Sequence, residues 1–221
     1  MKIAEIFHSI QGEGILLGMP SMFLRTSGCN LRCSWCDTPY TSLKPEGSDY
    51  SVEQLVEAAK QARHVVITGG EPMIMPQITE LTGRLRAAGH HITIETAGTR
   101  FEQVQCDLMS ISPKLANSTP EGEFAVRHER LRIQPDTLRQ LMAAYEYQLK
   151  FVIREPADMC ETDNLVRDLK AKPEQVVLMP EGVDPAVLRE RGRWIAETCK
   201  ERGYRFSPRL HVDLYGNRRG V

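Results

Sequence analysis

Short apolar runs rich in β-branched residues alternate along the chain with stretches whose apolar positions recur every three or four residues. Ser21-Met22-Phe23-Leu24-Arg25-Thr26 reads as a strand ending at Gly28. Ser51, with Gln54 three positions on, has the pattern of a helix capping box, and Val52, Leu55, Val56 and Ala59 supply the apolar stripe behind it. His64 to Thr68 is a strand that stops at Gly69-Gly70. Ile78, Leu81, Leu85 and Ala88 mark a second helix, with Gly89 as its stop. Ile92 to Glu95, Asp107 to Ile111, Gln148 to Ile153 and Gln175 to Met179 read as further strands, with helices over Leu138 to Tyr145 and Asp163 to Ala171. Asp184 caps a long helix with Pro185 at its first position; it carries Leu188, Trp194, Ile195 and Cys199 and ends near Gly203. A last short strand is expected near Phe206 to Val212. The charged segment Thr119 to Gln134 breaks the pattern and is expected to be an exposed loop or insert, a solvated face.

Strands alternating with helices indicate βα units on a parallel sheet. A closed eightfold barrel needs about 250 residues. The 221 residues here, with roughly six such units, predict an α/β fold of the incomplete (β/α)6-type TIM barrel class, with residues 1–221 as a single domain. Apolar residues at 41% and charged residues at 26% allow a normal core. With 28 Lys plus Arg against 29 Asp plus Glu, the net charge of −1 excludes a strongly basic nucleic-acid binder, a local basic patch aside. No apolar run approaches the roughly 18 residues of a membrane helix. Glu5 and His8 come too early for a signal peptide, so the expected location is the cytoplasm.

Cysteine changes this picture. Of six cysteines, Cys29, Cys33 and Cys36 fall within eight residues, while Cys106, Cys160 and Cys199 are scattered. In a reducing compartment, clustered cysteines point to metal or redox chemistry. A structural zinc site wants four ligands, usually in pairs, and the nearest further candidates, His8 and His64, sit in no paired motif. An iron–sulfur cube held by three thiolates leaves one iron open for a small molecule. The spacing favours the cube; zinc and buried free cysteines are the other readings. Thr68-Gly69-Gly70-Glu71-Pro72, alone, would be a tight turn.

Together, C-x3-C-x2-C after the first strand, with Trp35 before its last cysteine, and the Gly69-Gly70-Glu71 segment resemble the radical S-adenosylmethionine (SAM) superfamily. Ser9-Ile10-Gln11-Gly12-Glu13-Gly14, Phe23-Leu24-Arg25, Cys36-Asp37-Thr38, Thr68 to Pro72, Glu95-Thr96-Ala97-Gly98 and Ser112-Pro113-Lys114 stand in the order seen in the 7-carboxy-7-deazaguanine synthase family. The likeness is dense up to Lys114 and thin afterwards. It implies a lyase that converts 6-carboxy-5,6,7,8-tetrahydropterin to 7-carboxy-7-deazaguanine and ammonia, on the route to queuosine. A reduced 4Fe-4S cluster would cleave SAM to a 5′-deoxyadenosyl radical, and SAM would be regenerated. Mg2+ would be required.

The resemblance implies cluster ligation by Cys29, Cys33 and Cys36. It implies SAM contacts at Trp35, Cys36, Asp37, Gly70, Ser112, Pro113 and Lys114, and a Mg2+ ligand at Thr38. Substrate contacts would come from Ile10, Gln11, Gly12, Glu13, Arg25 and Thr68. These residue types suit those roles. Arg25 can grip a carboxylate bidentately, though a lone arginine at a strand end otherwise reads as an ion pair. Gln11 and Glu13 offer an amide and a carboxylate to the donor edge of a pterin, where Gln-Gly-Glu-Gly alone reads as a flexible turn. Gly70 lets backbone approach a ligand. Thr38 offers a hard oxygen but alone reads as a turn residue or cap. Met179-Pro180-Glu181-Gly182 matches the family's further SAM segment weakly, and no residue of the tail His211 to Val221 is assigned. The expected partners are a small-molecule pterin, a second copy in a homodimer, and a flavodoxin or ferredoxin reductant, with neither nucleic acid nor membrane. A glycyl-radical activating enzyme shares the cysteine motif and the size, but would not need Gln11-Gly12-Glu13 or Arg25. A non-catalytic zinc or RNA-binding module fits poorly with the near-neutral charge.

Overall fold

The computed structural model describes residues 1–221. Strand β1 (Lys2–Ile10) pairs antiparallel with β2 (Pro20–Thr26), and the two-residue β3 (Ser48–Asp49) pairs with the other edge of β1. From β2 onward the strands run parallel. Helix α1 (Val52–Ala59) leads to β4 (His64–Gly69), and α2 (Ile78–Ala87) leads to β5 (His91–Thr96). A helix-free loop reaches β6 (Leu108–Ile111), and α3 (Ala125–Arg132) and α4 (Pro135–Ala144) precede β7 (Tyr147–Ile153). Helix α5 (Asp158–Leu169) leads to β8 (Val176–Pro180), α6 (Pro185–Arg202) to β9 (Arg205–Phe206), and α7 (Leu210–Tyr215) follows. The order β3-β1-β2-β4-β5-β6-β7-β8-β9 does not close on itself. The expected α/β fold, an open and incomplete barrel, is therefore what the chain forms.

Alternation along the strands decides what each face does. Leu24, Ile67, Ile94, Ile111, Phe151 and Leu178 share one face and pack with Leu55, Leu81, Leu138 and Ile195 from the helices in a single 32-residue core. Each such side chain contributes about 1.5–3 kcal/mol by leaving water. The residues adjacent to these along the chain turn the opposite way. Arg25, Thr68, Glu95, Ser112 and Lys150 line a cavity of about 350 Å3 on the concave side. Parallel strands covered on both sides normally read as continuous apolar runs, so these interruptions mark a polar interior at the carboxyl ends of the strands, where barrel sites are built.

Helix termini follow the expected chemistry. Ser51 and Gln54 make a reciprocal capping box on α1, and the Asp184 side chain accepts from the amides of Ala186 and Val187, 2.8 and 3.1 Å away. Three expectations need correction. Thr119 to Gln134 is solvated as expected but is not a loop: it holds a 3-10 turn (Gly122–Phe124) and α3, and of its residues only His128 is buried. Helix α3 lacks an apolar stripe because it turns only His128 inward. The final strand shrinks to Arg205–Phe206, because Pro208 cannot donate to a ladder, and the chain re-forms as α7. The helix expected from Asp163 begins earlier, at Asp158. Strand β1 was not among the expected elements.

Candidate active site

The cysteine loop leaves β2 through backbone that is hydrogen-bonded on both sides. Gly28 donates to the Thr41 carbonyl at 2.8 Å and accepts from the Glu71 amide at 2.9 Å. Ser34 donates to the Ser118 carbonyl at 2.8 Å, and the Trp35 indole donates to Asn117 Oδ1 at 3.1 Å. His128 props the loop from α3. Its Nδ1 accepts from the Arg32 amide at 3.1 Å, so its Nε2 donates to Ser118 Oγ, 2.9 Å away, which in turn donates to the Leu115 carbonyl. Burial holds the imidazole pKa below its usual value, which favours this neutral form. Replacing His128 by Ala strands the Arg32 amide and removes the donor to Ser118 Oγ. We expect a loss of about 1–3 kcal/mol, read as a lower urea midpoint at an unchanged denaturant slope.

Cys29, Cys33 and Cys36 all face the cavity. Burial, with Glu71 adding repulsion, pushes the Cys29 thiol up to about 12; burial likewise raises Cys33 to about 11. No group of three or more His, Cys, Asp or Glu side chains is gathered tightly enough to enclose one ion. Three thiols spread along a loop suit a polynuclear cluster, in which each takes a different iron, better than one tetrahedral ion. The donor set therefore fits a 4Fe-4S cluster.

Glycine 70 meets this loop. A Cβ there would lie 1.9 Å from the Gly28 carbonyl oxygen and 3.2 Å from the Cys29 nitrogen. The sequence suggests that its missing side chain makes room for a ligand; the structure shows that it first makes room for the cysteine loop. The adjoining Glu71 is fully buried and its pKa is raised by desolvation. It accepts from Thr96 Oγ1 at 2.7 Å and from the amides of Met73 and Ala97 at 3.0 and 2.8 Å, fastening this turn to the end of β5.

Every residue singled out in the sequence lines this one cavity except Pro113: Ile10, Gln11, Gly12, Glu13, Arg25, Trp35, Asp37, Thr38, Thr68, Gly70, Ser112 and Lys114 join the three cysteines. Arg25 is held by Glu5, Nε to Oε2 at 2.7 Å, and its guanidinium lies over the Phe7 ring at 5.3 Å. Its two Nη groups make no hydrogen bond within the protein. Thr38 precedes a 3-10 turn (Pro39–Thr41) without capping it, and its Oγ1 lies 3.9 Å from Cys36 Sγ. Gln11 donates to Glu95 Oε1 at 3.1 Å, and Thr68 donates to Glu95 Oε2 at 2.7 Å. Lys114 Nζ turns back on Ser112, donating to its carbonyl and hydroxyl at 2.7 and 2.9 Å.

Glu95, Lys150, Arg209 and His211 line the cavity without a role assigned from the sequence. Glu95 organises Gln11 and Thr68. Lys150, fully buried, pairs with Glu13. Arg209 reaches Glu13 and Asp37, and His211 packs on Gly12. Burial alone would raise the Glu13 carboxyl, but Lys150 and Arg209 together hold it far below the usual carboxylate range. Glu95 and Lys150 were visible as charges inside otherwise apolar strands. Arg209 and His211 follow Pro208, in a segment whose sequence carried no such mark. The tail also lines the cavity through Asn217, Arg218, Arg219 and Val221, with Arg219 stacked over Tyr40 at 3.3 Å.

The profile of the radical SAM superfamily matches residues 23–147. A 7-carboxy-7-deazaguanine synthase of Halobacterium salinarum is 44% identical, over 98% of this chain and 91% of that protein. The chain belongs to the 7-carboxy-7-deazaguanine synthase family of radical SAM proteins. The same name is borne by a protein of Rhodopirellula baltica, also 44% identical, over the whole of this chain and 89% of that protein. The crystal structure of QueE from Escherichia coli superposes with a TM-score of 0.71 at 30% identity, covering 95% of this chain and 94% of that one. Membership of the radical SAM family implies SAM and a 4Fe-4S cluster as cofactors, which agrees with the thiol set facing the cavity.

Proposed function

We propose that this chain, read as a single radical SAM domain over residues 1–221, is a Mg2+-dependent carbon–nitrogen lyase. It contracts the ring of 6-carboxy-5,6,7,8-tetrahydropterin to 7-carboxy-7-deazaguanine with release of ammonia, in queuosine biosynthesis. The observation that carries this reading is the placement of Arg25, with two uncommitted Nη groups, in the same cavity as the Gln11-Glu13-Glu95 polar cluster and the three cysteines. Cys29, Cys33 and Cys36 would hold the 4Fe-4S cluster, and Trp35, Asp37, Gly70 and Ser112-Pro113-Lys114 would surround SAM. When bound and reduced, the cluster supplies the electron that splits SAM to a 5′-deoxyadenosyl radical.

The protein's own side chains do the rest by positioning. Arg25 anchors the substrate carboxylate with a planar fork, backed by Glu5 so that the fork cannot turn away. Gln11, Glu13 and Thr68 read the pterin's donor edge. Lys150 keeps Glu13 ionised as an acceptor. Thr38, whose hydroxyl does not cap the following turn, would hold Mg2+, and the ion would supply positive charge for orienting the substrate. The tail narrows the mouth of the cavity and limits water. A flavodoxin or ferredoxin in the cytoplasm would deliver electrons, and the active form would be a homodimer.

Substrate choice tests the reading. The reconstituted protein should turn over the carboxylated pterin and raise no radical on a glycyl-radical enzyme; the reverse pattern would favour an activating enzyme. Two variants separate the parts. Arg25→Lys should weaken substrate binding by about 1.5–3 kcal/mol, the scale of a charge-assisted contact, while SAM affinity and iron content stay at the parent level. Thr38→Ala should keep the cluster and blunt the response to Mg2+ in steady-state rates. A parental Mg2+ response in Thr38→Ala would place the metal ligand elsewhere.

A further inference from the structure

Residues 207 to 211 do more than end the barrel. Gly14 donates to Ser207 Oγ at 2.7 Å, Leu210 donates to the Gly12 carbonyl at 2.9 Å, and a Cβ on Gly12 would come within 2.0 Å of His211 Nδ1. These contacts fasten the segment to the substrate-side turn alone. Arg209 differs. Its Nε donates to Glu13 Oε1 at 3.0 Å, its Nη1 to the Gly182 carbonyl at 2.6 Å, and its Nη2 to Asp37 Oδ2. One buried guanidinium thus joins the turn before β2, the loop after β8 and the residue that follows Cys36. A guanidinium is rigid and planar, so its three bonds fix the relative placement of all three segments. A side chain with 8% exposure would not be left charged here without such partners.

We propose that Arg209 is a positioning residue that sets the register between the substrate-reading turn at Glu13 and the cluster loop at Asp37. This rests on the proposed reading of the cavity and deepens it. The distance a radical must cross to its hydrogen depends on two halves of the site, the turn at Glu13 and the loop at Asp37, and the Arg209 guanidinium hydrogen-bonds to both. Loss of the bridge frees the halves to shift while each keeps its own ligands. The mark of that state is uncoupling: SAM is cleaved, but the 5′-deoxyadenosyl radical takes an electron from the reductant and a proton from water instead of the substrate's hydrogen atom, and leaves as 5′-deoxyadenosine.

The experiment uses the full chain, reconstituted anaerobically, with dithionite as reductant. Arg209→Lys keeps the charge and loses the fork. It should retain the parent's iron and sulfide, raise KM for 6-carboxytetrahydropterin by about tenfold, and release more 5′-deoxyadenosine per deazapurine formed. Ser207→Ala loosens the tail without touching Asp37 and should leave that ratio at the parent's value. A parental KM and ratio in Arg209→Lys overturns the proposal. So does an equal change in both variants that tracks thermal stability, since Arg209 would then only dock the tail. Hydrogen exchange gives a readout free of turnover and serves if Arg209→Lys folds poorly. Asp37→Asn should speed amide exchange at residues 12 to 14, across the cavity, and unchanged protection there overturns the bridge. Absence of any pterin turnover by the parent, with this exchange coupling intact, would count against the proposed substrate and not against Arg209.

Discussion

Alanine at Cys29, Cys33 or Cys36 should abolish the iron–sulfur absorbance and reduce SAM cleavage to background, whereas Cys106, Cys160 and Cys199 should be replaceable with both retained. The two sets differ in what surrounds them. The first three lie on a loop facing the cavity, anchored by Trp35, Ser34 and His128. Cys199 is 3% exposed inside the apolar core, Cys106 packs against that core, and Cys160 is exposed on α5. Cys199→Ala therefore costs packing, seen as a lower melting temperature with unchanged iron per chain. Burial keeps Cys29 and Cys33 protonated in the metal-free chain, so cluster binding must release protons and draws its strength from iron–thiolate bonds. No fourth thiol faces the cavity to replace a lost ligand. Full iron content in a Cys33→Ala preparation would mean that this loop is not the cluster site.

Gly70→Val should be nearly as severe. Its Cβ would stand 1.9 Å from the Gly28 carbonyl oxygen, far inside any tolerated contact, and the obstacle is backbone that cannot swing away as a side chain could. That carbonyl already accepts from the Glu71 amide, and the Gly70 amide donates to the Thr26 carbonyl at 3.0 Å. Relief of the clash thus pulls apart the crossing between the ends of β2 and β4 and carries Cys29 with it. Iron content and SAM affinity should fall together, with even Gly70→Ala showing the same pattern more weakly. Retention of the cluster with loss of SAM affinity alone would show that the turn serves the ligand and not the loop.

Much of this site was legible before any fold was known, for a physical reason. Cluster ligation and close backbone approach need particular residue types at short spacing, and Cys29 to Cys36 and Gly69-Gly70 are local in sequence. The parallel strands were equally plain, because each keeps an apolar face toward the helices. What stayed hidden was assembled over long separations. The pairs Glu13–Lys150 and Glu13–Arg209 join residues 137 and 196 positions apart, and only the curvature of the sheet brings them together. Helix α3 carries no helical stripe in its sequence because its one inward residue is a histidine, whose partners, the Arg32 amide and Ser118, lie outside the helix. Strand β1 is held by partners on the next strand, Phe7 stacked on Phe23 at 4.9 Å and Glu5 bonded to Arg25, and so is no plainer in the sequence. The expected strand at residues 206–212 failed at Pro208, a residue that alone should have ended it.

In the proposed reaction the cavity between the cysteine loop and Arg25 contracts a carboxylated pterin while using SAM catalytically. The decisive measurement is anaerobic incubation of the reconstituted protein with SAM in substoichiometric amount, a reductant, Mg2+ and 6-carboxy-5,6,7,8-tetrahydropterin. The expected products are 7-carboxy-7-deazaguanine and ammonia in equal amounts, with several turnovers per SAM. Accumulation of 5′-deoxyadenosine while the pterin remains intact would rule that reaction out.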